Sequence, residues 1–170
     1  MKPFSRAVPG RLFVYGTLLD RDLFGVVAGI AQHKCRPALA ILRGAHPARA
    51  RAAGAPVLAA GGRTRGVLLK GFTQRAWRRL CFYEDKEYAP RLVPVRLGGG
   101  NVVTAAVFYG TNRPGPRTVA WSVTRWRRHE KRTALARARL FMDYLQAPRG
   151  TDLDAAWRDI QRRVAGTIEA

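Results

Sequence analysis

The apolar positions along the chain fall into two regimes. Between residues 12 and 109 they form short runs separated by Gly, Pro and Arg. These are Leu12–Val14, Ala38–Leu42 closed by Arg43-Gly44, Thr64–Leu69 with Gly66 inside it, Leu92–Leu97 and Asn101–Tyr109. Runs of this length, bounded by turn residues, predict strands. Gly98-Gly99-Gly100 separates the last two and is a permissive connection, so these two form a hairpin. The runs differ in length and content and follow no fixed period, which argues against a repeat architecture.

Helical spacing enters between and after the strands. Thr73 is placed to cap a short helix whose Ala76, Trp77, Leu80 and Cys81 share one face. Beyond residue 120, spacings of three and four take over. One helix is expected over Trp121–Gln146, with Leu135, Ala138, Met142 and Leu145 on its apolar side, punctuated by Pro148 and Gly150. Thr151-Asp152-Leu153-Asp154 fits a capping box for a last helix, whose stripe is Leu153, Ala156, Trp157, Ile160 and Val164. That helix packs into the core or lies as a flap over the sheet. Strands first and helices last is the order of an α+β domain. Arg113-Pro114-Gly115-Pro116 marks the one internal boundary. The expected division is a domain over 1–112 and a helical C-terminal extension over 113–170, packed on the same domain.

Composition narrows the picture. A chain of 170 residues, 47% hydrophobic and 25% charged, has the size and balance of one folded domain. No apolar run approaches the roughly 20 residues needed to span a bilayer. The basic start Met1-Lys2-Pro3-Phe4-Ser5-Arg6 leads into an apolar run too short for a secretory segment and interrupted by Tyr15-Gly16. A cytoplasmic protein without a membrane partner is expected. Cys35 and Cys81 lack Cys-x-x-Cys spacing, and His33, His46 and His129 are scattered, so neither a zinc site nor a disulfide framework is expected. Cys81 reads as a small core residue. The triple glycine sits in a hairpin and not at a strand-to-helix junction, which separates it from nucleotide-binding loops.

The net charge is +20, with 26 arginines against five lysines. The arginine skew, beside abundant Ala and Gly, has the look of coding from a GC-rich genome. Basic residues are spread along the chain, with one denser block at Arg125-Trp126-Arg127-Arg128-His129-Glu130-Lys131-Arg132. The helix from Arg125 to Arg139 is either a solvated face or a surface for nucleic-acid phosphates.

Two segments carry candidate chemistry. In the first, the strand Leu12-Phe13-Val14 breaks into Tyr15-Gly16-Thr17-Leu18. Gly16 stands where a side chain would obstruct a ligand or another backbone segment. Peptide N–H groups turning out of a strand end form a small concave site for an anion. The second segment is Tyr83-Glu84-Asp85-Lys86-Glu87-Tyr88, with three carboxylates in four residues of a chain holding only 11 acids. These either balance the neighbouring Arg78, Arg79 and Arg91 as a solvated helix end, or one glutamate points into a cavity beside the Tyr15 turn. Burial there would raise its pKa towards neutrality and fit it for proton transfer. The residues alone leave Glu84 and Glu87 open. Tyr88 would donate a hydrogen bond to substrate or pack beneath the hairpin, and Tyr15 would line the pocket or sit in the core with its hydroxyl satisfied.

Together the two segments resemble the γ-glutamylcyclotransferase-like, or AIG2-like, family. Phe13-Val14-Tyr15-Gly16-Thr17-Leu18 matches its N-terminal strand and Tyr-Gly-Thr/Ser-Leu loop. Leu80-Cys81-Phe82-Tyr83-Glu84-Asp85-Lys86-Glu87-Tyr88, followed by Val93-Pro94-Val95, matches its helix ending in a glutamate, its Tyr and its Val-rich strand. Gly44-Ala45-His46-Pro47-Ala48 is similar to the family's Tyr-Pro-Ala region, and Arg65-Gly66-Val67-Leu68 to its Val-x-Gly strand. The resemblance covers roughly residues 10 to 112. Cys81 stands where the family commonly has Asp, and Ala89-Pro90 push Arg91 one residue beyond the family's usual Arg. The first departure bears on how the glutamate is oriented, the second on which substrate group is held.

The resemblance implies a small mixed, partly closed β-sheet or barrel with short helices and a C-terminal helical extension. It also implies an enzyme that releases 5-oxoproline and an amine from a γ-glutamyl amine, amino acid or peptide. Glu84 would be the catalytic acid/base, and Tyr15, Gly16, Thr17, Leu18 and Tyr88 would bind the substrate. No metal or other cofactor is required. The competing readings are a non-catalytic small-molecule binder of the same fold and a basic nucleic-acid-associated protein. No motif encodes the leaving amine or the oligomeric state.

Overall fold

The computed structural model describes residues 8–49, 56–84, 87–111, 119–146, 155, 158–160 and 162–164. Five strands, β1 (Arg11–Val14), β2 (Ala38–Arg49), β3 (Pro56–Lys70), β4 (Tyr88–Leu97) and β5 (Val102–Gly110), form a closed barrel in the order β1-β3-β2-β4-β5. Neighbours run antiparallel except at the closure, where β1 meets β5 in parallel through Leu12 opposite Ala106. With its helices, this is the α+β barrel that the family resemblance implied.

The short apolar run at the start is explained by burial on both faces. Phe13 and Tyr15 point into the barrel with Leu42, Leu58, Leu68, Val95 and Val107. Leu12 and Val14 point outward into a second core with Leu69, Phe108 and the helices. A strand covered on both sides shows continuous rather than alternating hydrophobicity. The outer core is closed by α1 (Arg21–Ala28), α2 (Gln74–Glu84), α3 (Val123–His129) and α4 (Lys131–Asp143), which contribute Leu23, Phe24, Val27, Trp77, Leu80, Trp126 and Ala138. Trp77 stacks on Phe108 at 5.5 Å.

Three expectations are corrected. The strand expected to end at Arg43-Gly44 continues to Arg49, because Gly44 takes a left-handed φ of 79° and the register shifts there. A bulge bends a strand without ending it. The strand expected over Thr64–Leu69 begins at Pro56; its Ala- and Gly-rich first half lacks a strand pattern and is held by pairing with β2. The single helix expected over Trp121–Gln146 is broken at Glu130, whose φ of −122° lies off the helical region, and it ends in a 3-10 turn at Tyr144–Gln146. Trp121 precedes it, next to Ala120, which bridges to Ala48. Leu145 is exposed.

Helix α1 and the 3-10 turns at Gly16–Leu19 and Gln32–Cys35 were not expected. The signal for α1 is present. Asp20 caps it by accepting from the backbone N–H groups of Asp22 and Leu23, both at 3.2 Å, and Gly29 ends it in the left-handed region.

Thr73 caps α2 as expected, accepting from the Ala76 N–H at 3.1 Å, and Cys81 is buried on the apolar face of that helix. Ile160 and Val164 pack against Phe141 and Met142. Arg113-Pro114-Gly115-Pro116 and Thr151-Asp152-Leu153-Asp154 lie outside the described residues.

The basic block is partly turned inward. Arg127 and Lys131 converge on the buried Asp20 at 2.9 and 3.0 Å, Lys131 also reaches Asp22 at 2.6 Å, and Glu130 takes Arg49 at 2.9 Å. Trp126, immediately before Arg127, is buried.

Candidate active site

The site lies where β1 leaves the barrel, α2 ends and β4 begins. At the end of β1 the chain enters the 3-10 turn Gly16–Leu19, with Tyr15 as its cap residue. The leading N–H groups of such a turn have no acceptor within it. Gly16 has φ +69°, and a Cβ on it would collide with the Pro56 ring. Glycine is therefore required twice over, by backbone and by space. The segment that approaches is the start of β3.

Tyr15 is 7% exposed, and its hydroxyl donates to the Phe108 carbonyl at 2.8 Å. The core alternative for Tyr15 is thus the one observed, although the residue still stands beside the candidate acid. Burial, then the neighbouring Tyr88 and Glu84, push its hydroxyl pKa upward. Leu18 is buried and its carbonyl accepts from Gln32 Nε2 at 3.0 Å, while Thr17 is partly exposed.

Glu84 is the last residue of α2. The residue keeps some solvent exposure, yet its carboxyl is enclosed by protein. Burial, with the nearby Glu87 adding like charge, pushes its pKa up to about 8. Its charge in turn acts on Tyr15, Cys81, Tyr83 and Tyr88, which places these groups around it. Cys81, one helical turn earlier, is pushed up to about 12 by burial and by Glu84. A thiol so held is neutral and accepts hydrogen bonds only weakly.

Glu87 is exposed on the turn into β4, where its carbonyl accepts from the Thr111 N–H at 2.8 Å. Tyr88 donates its hydroxyl to the Pro56 carbonyl at 2.9 Å and packs near Gly110, where a Cβ would meet Val57 and Tyr88. Arg91 lies over the Tyr109 ring at 5.1 Å. Tyr15, Gly16, Glu84 and Tyr88 are thus brought together, and Pro56 is the piece that sequence reasoning missed. The run Pro56-Val57-Leu58-Ala59 was its only signal. Among the described residues no three His, Cys, Asp or Glu side chains are grouped as a metal would require.

Residues 12–127 match the model of the family described as gamma-glutamyl cyclotransferase, AIG2-like. The chain belongs to that family. A relative, AIG2-like protein C of Arabidopsis thaliana, is 26% identical over 142 residues, covering 81% of this chain and 80% of its own. In fold, the chain is similar to an Arabidopsis thaliana protein solved in solution, with a TM-score of 0.58, 18% identity, and 87% and 90% of the two chains covered. It is also similar to a structure titled gamma-glutamyl cyclotransferase, with a TM-score of 0.52, 12% identity, and 91% and 99% covered. At these identities the structural likeness speaks for the cyclotransferase fold. The family match extends past residue 112 into α3, the helix that delivers Arg127 to Asp20.

Proposed function

We propose that this AIG2-like chain is a γ-glutamyl cyclotransferase that converts a γ-glutamyl amine, amino acid or peptide to 5-oxoproline and the free amine. The observation that carries this reading is the enclosed Glu84 carboxyl, raised to about 8, whose charge acts on Tyr15, the residue that opens the Gly16–Leu19 turn, and on Tyr88. In the reaction the substrate's α-nitrogen forms a C–N bond to its own γ-carbonyl carbon, and the bond from that carbon to the leaving nitrogen breaks. One proton must leave the attacking nitrogen and one must reach the leaving nitrogen. A single carboxyl with a pKa near the working pH can do both in turn. Ring closure within one molecule needs chiefly a held conformation, since orientation replaces much of a bimolecular barrier. The leading N–H groups of the Gly16–Leu19 turn supply donors for the developing oxyanion or for the glutamyl carboxylate. Tyr15 and Tyr88, both tied to backbone carbonyls, form fixed walls near the Glu84 carboxyl.

The test is a panel of γ-glutamyl amines, dipeptides and peptides, with 5-oxoproline followed by mass spectrometry. Glu84→Gln abolishes release while leaving the fold intact, and the amine released identifies the substrate class. Release that persists in Glu84→Gln would move the role to Glu87. No release from any member would leave a binding protein of the same fold.

A further inference from the structure

The charge of +20 is not explained by the site, and the fold redistributes it. Arg127 and Lys131, at the centre of the basic helix block, are paired internally with Asp20 and Asp22. The barrel presents a different surface. Where the helices do not cover it, Leu39, Ile41 and Arg43 of β2 alternate outward from the buried Ala40 and Leu42. Strand register fixes their neighbours. Arg65 is opposite Ile41, Ile41 is opposite Arg96, and Arg96 is opposite Val102, while Arg43 is opposite Arg63. Strands lie about 4.8 Å apart, so the row from Arg65 to Val102 is roughly 14 Å wide.

Arg43, Arg63, Arg65 and Arg96 are all exposed, and none meets a carboxylate among the described residues. Like charges directly opposite each other, as at Arg43 and Arg63, repel across a sheet pair and gain from an external anion. The same face carries three exposed aliphatic side chains, Leu39 at 79%, Leu92 at 71% and Val102 at 56%. Among the described residues, none at these paired positions is aromatic, so they offer no stacking platform for bases. A nucleic acid would answer the arginines but leave the leucines in water. An anionic lipid headgroup layer answers both, with phosphates for the guanidinium groups and an interface into which aliphatic side chains insert.

We propose that this β2–β3–β4–β5 face docks the protein on an anionic phospholipid surface. The contact is peripheral and needs no spanning segment, which is the only kind of membrane association that apolar run length excludes. It is independent of the cyclotransferase reading.

Co-sedimentation of the full chain with vesicles of phosphatidylcholine alone, and with phosphatidylserine added, tests it. Two variants remove the same number of charges. One changes Arg43, Arg63, Arg65 and Arg96 to Gln. The other changes the exposed Arg21, Arg78, Arg125 and Arg128 to Gln. The chain sediments with phosphatidylserine vesicles and not with phosphatidylcholine. The face variant loses partition by at least about tenfold, and the control variant loses far less. Leu39→Ser with Val102→Ser also lowers partition at unchanged charge. Equal loss in both arginine variants would reduce the effect to total charge and overturn the proposal. So would indifference to the Leu39/Val102 change, or retention on duplex DNA through the same arginines without vesicle binding.

Discussion

Glu84 gathers the consequences that belong to single residues. Its carboxyl, ordinarily near 4.5, holds its proton to about 8 in the folded chain. The folded state therefore binds more protons than the unfolded state between those values, and stability falls as pH rises through that window. Thermal melts of Glu84→Gln against the parent chain should show the variant gaining stability relative to the parent from pH 5 to pH 8. This outcome is independent of turnover. If Glu84 is the base, kcat/KM climbs about tenfold per pH unit below that value and then levels; a pH–rate profile on the best panel substrate reads this directly. Gly16→Ala sets the left-handed φ and the Pro56 ring against a methyl group, with an expected loss of roughly 2–4 kcal/mol in chemical denaturation. Gly16 was legible in the sequence as a position where a side chain would obstruct, whereas only the family resemblance set Glu84 apart from Glu87. The partners were not. That Pro56 is what Gly16 must admit, and that Tyr15 is tied to Phe108, depend on pairings 40 and 93 positions apart along the chain.

Among elements, the Gly16–Leu19 turn and α1 are joined through Asp20. Its backbone N–H closes the turn on the Thr17 carbonyl at 2.9 Å, and its carboxylate caps α1 and takes Arg127 and Lys131. Burial alone would raise this carboxyl. Hydrogen bonds from Lys131, the Leu23 N–H and Arg127 outweigh it and hold the pKa below its ordinary value. The stability so gained is present above the ordinary carboxylate range and is lost as pH falls through the lowered value. Asp20→Asn keeps an oxygen for the cap but loses the charge, so it should cost about 1–3 kcal/mol near pH 7, with the gap closing in acid. Amide hydrogen exchange over residues 16–19 should accelerate in the same variant. The strands and α2 were readable because period, cap and turn residues agree locally. Helix α1 also had its cap and its Gly stop, but its first turn borrows cations from residues more than 100 positions away. The break at Glu130 carries no Gly or Pro and has no local signature at all.

At the scale of the whole molecule, barrel and helices do not separate into independent parts. Trp126 and Ala138 belong to the same core as Leu12, Leu23 and Trp77. A chain ended after residue 130 removes Lys131 and uncovers α1. It should lose cooperative melting by circular dichroism, whereas the parent melts in one transition. The α+β class was visible in the order of strands and helices. Closure into a barrel was implied by the family resemblance alone and not by the strand pattern, because it depends on one parallel contact between the first strand and the last.

That contact also orders events in time. On the ribosome, Leu12 emerges long before either of its sheet partners, with Leu69 required on one side and Ala106 on the other. Non-local pairing of this kind is slow, and until it forms a nascent strand that is apolar on both faces stays open to unwanted partners. The β2–β3 hairpin can assemble while synthesis continues, but the first strand cannot be locked in until Ala106, 94 residues later, has been made.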